Sequence, residues 1–266
     1  MSVSSHSPQI GLVLSGGAAR GIAHIGVLQA LKELQIPIHA VAGTSMGAIV
    51  GAFFAAGIPP LGMLEILRND RRLVERFDFR FFRGGLLNMS FLHDMLDEYI
   101  GLPTFEQLAL PLYVAATNLN TGETRYFHQG PLYPAVSASA AIPVIFAPQV
   151  IDEQTYVDGG LTNNLPTDPL RAGCDFLIGV HVNYQEDLHE IDGLGDIASR
   201  CFSMAIYQTV RDRRLACDLL IEPPATRQFA LFDFDEVDAL YQTGYEAVQS
   251  LRSQANGPLQ SLLTQL

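Results

Sequence analysis

Gly43-Thr44-Ser45-Met46-Gly47 places a serine midway between two glycines. That G-x-S-x-G spacing holds a nucleophilic hydroxyl on a sharp turn between a strand and a helix. A serine so placed attacks an acyl carbonyl once a base takes its proton. The usual base is a histidine oriented by a carboxylate, in the chain order serine, aspartate, histidine. Asp158, in Tyr156-Val157-Asp158-Gly159-Gly160, is a candidate carboxylate, and of the seven histidines only His181 and His189 follow it. Each residue also has a plainer reading. Gly43, Gly47 and Gly51 lie four apart, as in a small-residue stripe for close helix packing. Asp158-Gly159 is a strong turn signal, Asn163 and Asn164 before Pro166 read as turn residues, and His181 near the end of a strand suits a core or edge position.

A second stretch, Gly16-Gly17-Ala18-Ala19-Arg20-Gly21, separates an apolar run from a helical pattern. Backbone N–H groups in such a loop cradle a phosphate or an oxyanion. The nucleotide reading fails on spacing, because the glycines do not form G-x-G-x-x-G and a P-loop register would put Ile22 where lysine is required. An oxyanion site with Arg20 alongside remains. Nothing resembles H-E-x-x-H, and Cys174, Cys201 and Cys217 form no C-x-x-C pair, so neither a metal site nor a disulfide framework is expected.

The elements that must position these residues can be read from periodicity. Ile10–Ser15 is a short buried strand. Ile22, Ile25, Leu28, Leu31 and Leu34 form one face of a helix that ends before Pro37, Ile38–Gly43 is a second strand, and a second helix runs from Ser45. This succession of strand, loop, helix, strand, turn and helix opens an α/β sandwich. Pro111–Leu119 and Thr124–Gln129 read as strands joined by a turn at Asn120-Thr121-Gly122. Pro148–Ile151 and Gln154–Val157 read as a hairpin, Cys174–Asn183 as a late strand and Asp218–Pro223 as a last one, with long helices over about 194–215 and 235–254.

Composition excludes several classes. The chain has 266 residues, 48% of them hydrophobic, and neither a linker nor a repeat interrupts it, so one domain is expected. A net charge of -12 argues against a nucleic-acid binder. The polar N-terminus lacks a signal-peptide layout, and the uncharged stretch Ala42–Leu64 is broken at Gly57, Pro59 and Pro60 before it could cross ~30 Å of hydrocarbon. A cytoplasmic location follows as the expectation.

Taken in order, Gly16-Gly17-Ala18-Ala19-Arg20-Gly21-Ile22-Ala23-His24-Ile25-Gly26-Val27-Leu28, the Ser45 pentapeptide, Ala138-Ser139-Ala140-Ala141-Ile142-Pro143-Val144-Ile145-Phe146 and Asp158-Gly159-Gly160-Leu161-Thr162-Asn163-Asn164-Leu165-Pro166 resemble the patatin-like phospholipase family. The likeness extends from Ile10 to Val182, and the C-terminal third carries no comparable motif. It implies a three-layer α/β/α sandwich with a mostly parallel sheet, and a Ser45–Asp158 dyad that needs no histidine. It also implies an oxyanion hole from Gly16, Gly17 and Ala18 with Arg20 close by, no cofactor, and a lipid or other acyl-ester substrate. Phe53, Phe54 and Phe146 are then candidates to line an acyl channel. A Ser45–Asp158–His181 esterase and a non-catalytic binding module are the alternatives. Six arginines between Arg68 and Arg83, interleaved with phenylalanines, read either as a solvated helix face or as a peripheral membrane contact at the site's mouth.

Overall fold

The computed structural model describes residues 8–70, 72, 87–183, 193–254 and 256–266. Its centre is an eight-stranded sheet built from β1 (Ile10–Leu14), β2 (Ala40–Thr44), β3 (Leu112–Asn118), β4 (Thr124–Phe127), β5 (Gln149–Ile151), β6 (Gln154–Asp158), β7 (Phe176–Val180) and β8 (Leu219–Ile221). Hydrogen-bonded neighbours run β5-β6-β3-β2-β1-β7-β8, and β4 pairs separately with β3. The pairings among β3, β2, β1, β7 and β8 are parallel, while β4, β5 and β6 join antiparallel.

The sheet is mostly parallel because its central strands are apolar on both faces, and both faces are covered. In β1, Ile10, Leu12 and Leu14 join the larger core, with α1 (Ala23–Glu33) and α2 (Met46–Ala55) over them. The alternate residue Val13 joins a second core of Ala42, Leu165, Leu170, Leu177 and Val210. That face is covered by α6 (Asp168–Arg171) and α7 (Gly193–Arg211). α3 (Pro60–Asn69), α4 (Ser90–Tyr99) and α5 (Leu132–Ala140) add to the larger core, as do α8 (Val237–Arg252) and α9 (Pro258–Leu263). α8 lies against α1 at contact distance of the backbones. A Cβ on Gly26 would stand 1.9 Å from the Tyr241 carbonyl oxygen, and one on Gly244 would stand 1.9 Å from that of Ala23. The uncharged stretch 42–64 resolves into β2, α2, a turn and the start of α3. Among the described residues no helix is long and apolar enough to cross a membrane.

The register fixes where the site must lie. β2 pairs with residues 112–115 of β3 and β6 with residues 116–118. β4 already pairs with 114–117, so it occupies the opposite edge from both. β2 and β6 therefore share one edge of β3, end to end and running toward each other. Thr44 lies opposite Ala115 and Asp158 opposite Ala116. Two strands distant in sequence thus deliver their last residues to the same point.

Candidate active site

Ser45 caps α2 with φ 53 and ψ -124. This left-handed backbone is costly for a non-glycine residue and persists only where its surroundings enforce it. The flanking glycines are part of that enforcement. A Cβ on Gly47 would lie 2.4 Å from the Leu14 carbonyl oxygen, and one on Gly43 would lie 2.4 Å from that of Gly47. The turn thus packs directly on the carboxyl end of β1. Its amide is anchored too. Ser45 N–H donates to Ser139 Oγ at 2.9 Å, and Ser139 Oγ–H donates to the Ala115 carbonyl at 2.6 Å. The stripe and the turn are therefore one feature, since the glycines pack closely in order to hold the bend.

Asp158 ends β6 and is held from several sides. Its N–H donates to the Ala141 carbonyl at 2.9 Å, and its carbonyl accepts from Thr117 Oγ1 at 2.9 Å. Its carboxylate Oδ1 accepts from Gly160 N–H at 2.8 Å. The side chain is fully enclosed, and loss of solvent raises its pKa to about 6 against the hydrogen bonds from the Ser45 side chain and Gly160, which lower it. Asp158-Gly159 is a turn, as its dipeptide suggests, and that turn is what aims the carboxylate at Ser45.

Both side chains line a cavity of about 420 Å³. Gly16, Gly17 and Ala18 form one side, Ile142 to Ile145 another, and Ile206, Leu231 and Phe232 complete much of the apolar wall. The three loop residues are not equivalent. Gly16 N–H is shared between the Asn164 carbonyl at 3.3 Å and Asn164 Oδ1 at 3.1 Å. The N–H groups of Gly17 and Ala18 have no acceptor among the described residues, and Ala18 holds a positive φ of 45.

Side-chain placement refines three of these readings. Arg20 stands beside the loop in sequence but does not line the cavity. It is buried, with Nε donating to the Phe229 carbonyl at 2.8 Å. Asn164 is more than a turn residue, since it lines the cavity and latches Gly16, whereas Asn163 keeps the structural role through Tyr126 and Asp168. Phe53, Phe54 and Phe146 do not line this cavity, although Phe53 lines a small apolar cavity that shares Met46 and Ile49 with a second one at Ser45. Phe146 is wholly buried and packs on Phe91.

His181 is absent from the cavity lining, and its Nδ1 meets Glu222 Oε1 at 2.9 Å. His189 lies outside the described residues. His24, buried behind the loop, faces the Ser15 carbonyl through Nε2 at 2.8 Å, and desolvation lowers its pKa to about 4. Ser139 carries no local signal that sets it apart from Ser137 in the same helix, and only tertiary contact gives it a role. Among the described residues no group of three His, Cys, Asp or Glu side chains could hold a metal ion. In the arginine-rich stretch, Arg68 pairs with Asp238, and Arg72 pairs with Asp70 and Glu98. Arg71, Arg76, Arg80 and Arg83 lie outside the described residues.

An uncharacterized NTE family protein of Mycobacterium tuberculosis is 37% identical over 184 residues, covering 68% of this chain and 51% of its own length. A lysophospholipase of Emericella nidulans is 27% identical over 292 residues, covering 94% of this chain and 19% of its own. The chain thus spans about half the length of the first of these relatives and less of the second. Among solved structures, VipD from Legionella pneumophila aligns with a TM-score of 0.47 and 14% identity over 90% of this chain and 67% of its own. The family model described as patatin-like phospholipase matches residues 12–171, and the chain belongs to that family.

Proposed function

We propose that this chain hydrolyses lipid acyl esters, with Ser45 as nucleophile and Asp158 as its base. The observation that carries the reading is the meeting of a strained, cavity-facing serine with an enclosed carboxylate whose pKa lies near 6. An ordinary aspartate, with a pKa near ~3.9, is a poor base, and desolvation makes this one a better proton acceptor while leaving it ionised at neutral pH. The apolar wall of the cavity suits an acyl chain. Family membership, and the lysophospholipase among the relatives, favour a phospholipid or lysophospholipid substrate.

The Ser45 hydroxyl attacks the ester carbonyl and gives its proton to Asp158. The tetrahedral oxyanion is met by the N–H groups of Gly17 and Ala18, with Gly16 holding the loop through Asn164. Each such donor is worth ~3–4 kcal/mol of barrier. The intermediate collapses, the alcohol leaves with the proton from Asp158, and a water activated by the same carboxylate releases the acid and restores Ser45. Arg20, tied to Phe229 and Asn183, has no part in the chemistry.

A histidine-assisted esterase is disfavoured by the Glu222 contact of His181 and by its absence from the cavity wall. A binding module would have no use for the strained serine opposite a carboxylate of raised pKa. The test is fluorophosphonate labelling and ester hydrolysis. Ser45→Ala should abolish both, and Asp158→Asn should lower hydrolysis by about 10³-fold or more. His181→Gln should keep most activity. A folded Ser45→Ala protein that still hydrolyses a short-chain ester would overturn the assignment.

A further inference from the structure

The mouth of the cavity carries aliphatic side chains that the core does not use. Val144, in the wall Ile142–Ile145, is 82% exposed and holds a φ of 72. A β-branched residue in the left-handed region is a true conformational outlier. The apolar side chain held there points outward and adds nothing to the core. α7 supplies Ser203 and Ile206 to the same cavity. Met204 follows Ser203 directly and shares a helix face with Ile197, with the half-buried Arg200 between them, and the two apolar residues are 44% and 48% exposed. Asp158 is the one ionisable side chain among the residues lining the cavity.

We propose that this largely aliphatic rim docks on the surface of a zwitterionic lipid bilayer, with Val144 entering the interface, so that a lipid reaches Ser45 without passing through water. The inference rests on the lipid-ester reading. Lipid is favoured as the occupant because the rim is continuous with the cavity that must receive an acyl chain. Charge argues the same way. A chain of net charge -12 is repelled by anionic membranes and by a second copy of itself, while an apolar rim needs neither attraction nor counter-charge to enter an uncharged interface.

The full chain is sedimented with phosphatidylcholine vesicles, comparing the wild type with Val144→Asn and Val144→Leu. Asparagine tolerates the left-handed backbone, so the fold is kept, which thermal melting verifies. Vesicle partitioning of Val144→Asn should weaken about tenfold, the loss that corresponds to no longer burying one valine side chain. Val144→Leu should bind as the wild type does, and added salt should change little. Hydrolysis of vesicle lipid by Val144→Asn should fall several-fold further than hydrolysis of a dissolved short-chain ester. The proposal is overturned if the wild type does not sediment with vesicles, if Val144→Asn sediments equally well, or if salt abolishes the binding. It is equally overturned if both substrates suffer alike, or if ultracentrifugation shows a dimer that the variant loses. Val144-dependent vesicle binding by a protein that hydrolyses no ester would leave the docking surface standing and remove the lipid-ester reading instead.

Discussion

Asp158 is a liability to the fold at neutral pH. Its native pKa of about 6 lies above the ordinary aspartate value of 3.8, so the native state holds this proton more tightly than the unfolded chain does. The resulting stabilisation is complete below pH 3.8 and is lost as pH rises through 6. At pH 7 the buried charge therefore costs about 3 kcal/mol. Asp158→Asn should thus raise stability at pH 7 by up to about 3 kcal/mol in urea titrations, with the gain vanishing toward pH 4, even as it removes activity. The same pKa sets the activity profile. The value of kcat/KM should rise tenfold per pH unit to a plateau above about pH 6. A pH profile that His181→Gln abolishes and Asp158→Asn keeps would favour the histidine alternative.

Ser139 shows how an element serves a residue it does not resemble. Its hydroxyl links the amide of the Ser45 turn to the carbonyl of Ala115, and β3 also holds β6 and so Asp158. Ser139→Ala would leave a buried donor and acceptor unpaired, so a loss of about 1–3 kcal/mol of stability is expected. The dyad would also lose its alignment, and kcat should fall by about 10–100-fold with KM little changed. Equal change in both, or none, would reduce Ser139 to packing.

The same contrast explains what was legible in the sequence. β1, β2 and β7 announce themselves as apolar runs, and Ser45 through the two glycines that its turn requires. These are local properties. Asp158 reads locally as a turn or as a candidate orienting carboxylate, and its role as the base comes only from family resemblance. Asn164, Ser139 and the Glu222 partner of His181 reach across the chain, and no short-range pattern encodes that. Phe146 was assigned to an acyl wall because aromatic rings suit lipid, yet α4 supplies Phe91 to bury it. The anchoring of Arg20 on Phe229 is equally illegible, since proximity in a loop says nothing of where a long side chain is held.

Across the whole molecule, the loop and the dyad rest on titrating groups of opposite tendency. His24 keeps a native pKa of about 4 against 6.5 when unfolded, so it disfavours the native state progressively as pH falls from 6.5 to 4. Asp158 favours the native state over nearly the same interval, from about 6 down to 3.8. Between pH 6 and pH 4 the two contributions nearly offset, each amounting to about 3 kcal/mol. Asp158→Asn removes one of them and should expose the other. Its stability should decline toward pH 4 more steeply than that of the wild type, by about 3 kcal/mol in total, as read from denaturation at successive pH values. Parallel declines would mean that the native pKa of Asp158 is not raised, and a variant whose stability stays level from pH 6.5 to pH 4 would mean that His24 does not remain neutral.

The end-to-end meeting of β2 and β6 also bears on how the chain reaches its native state. Thr44 and Asp158 lie far apart in sequence, and β6 joins β3 through antiparallel register while β2 joins it in parallel. Contacts of such high separation pay their loop-closure entropy before they are rewarded, and they form slowly. The helices α1 and α2 can gain structure with their neighbouring strands earlier. Reactivity of Ser45 is then a clock for completion of the sheet. During refolding, fluorophosphonate labelling should return after most of the helical circular dichroism, and the lag should lengthen in Ser139→Ala, whose tie between the turn and β3 is gone.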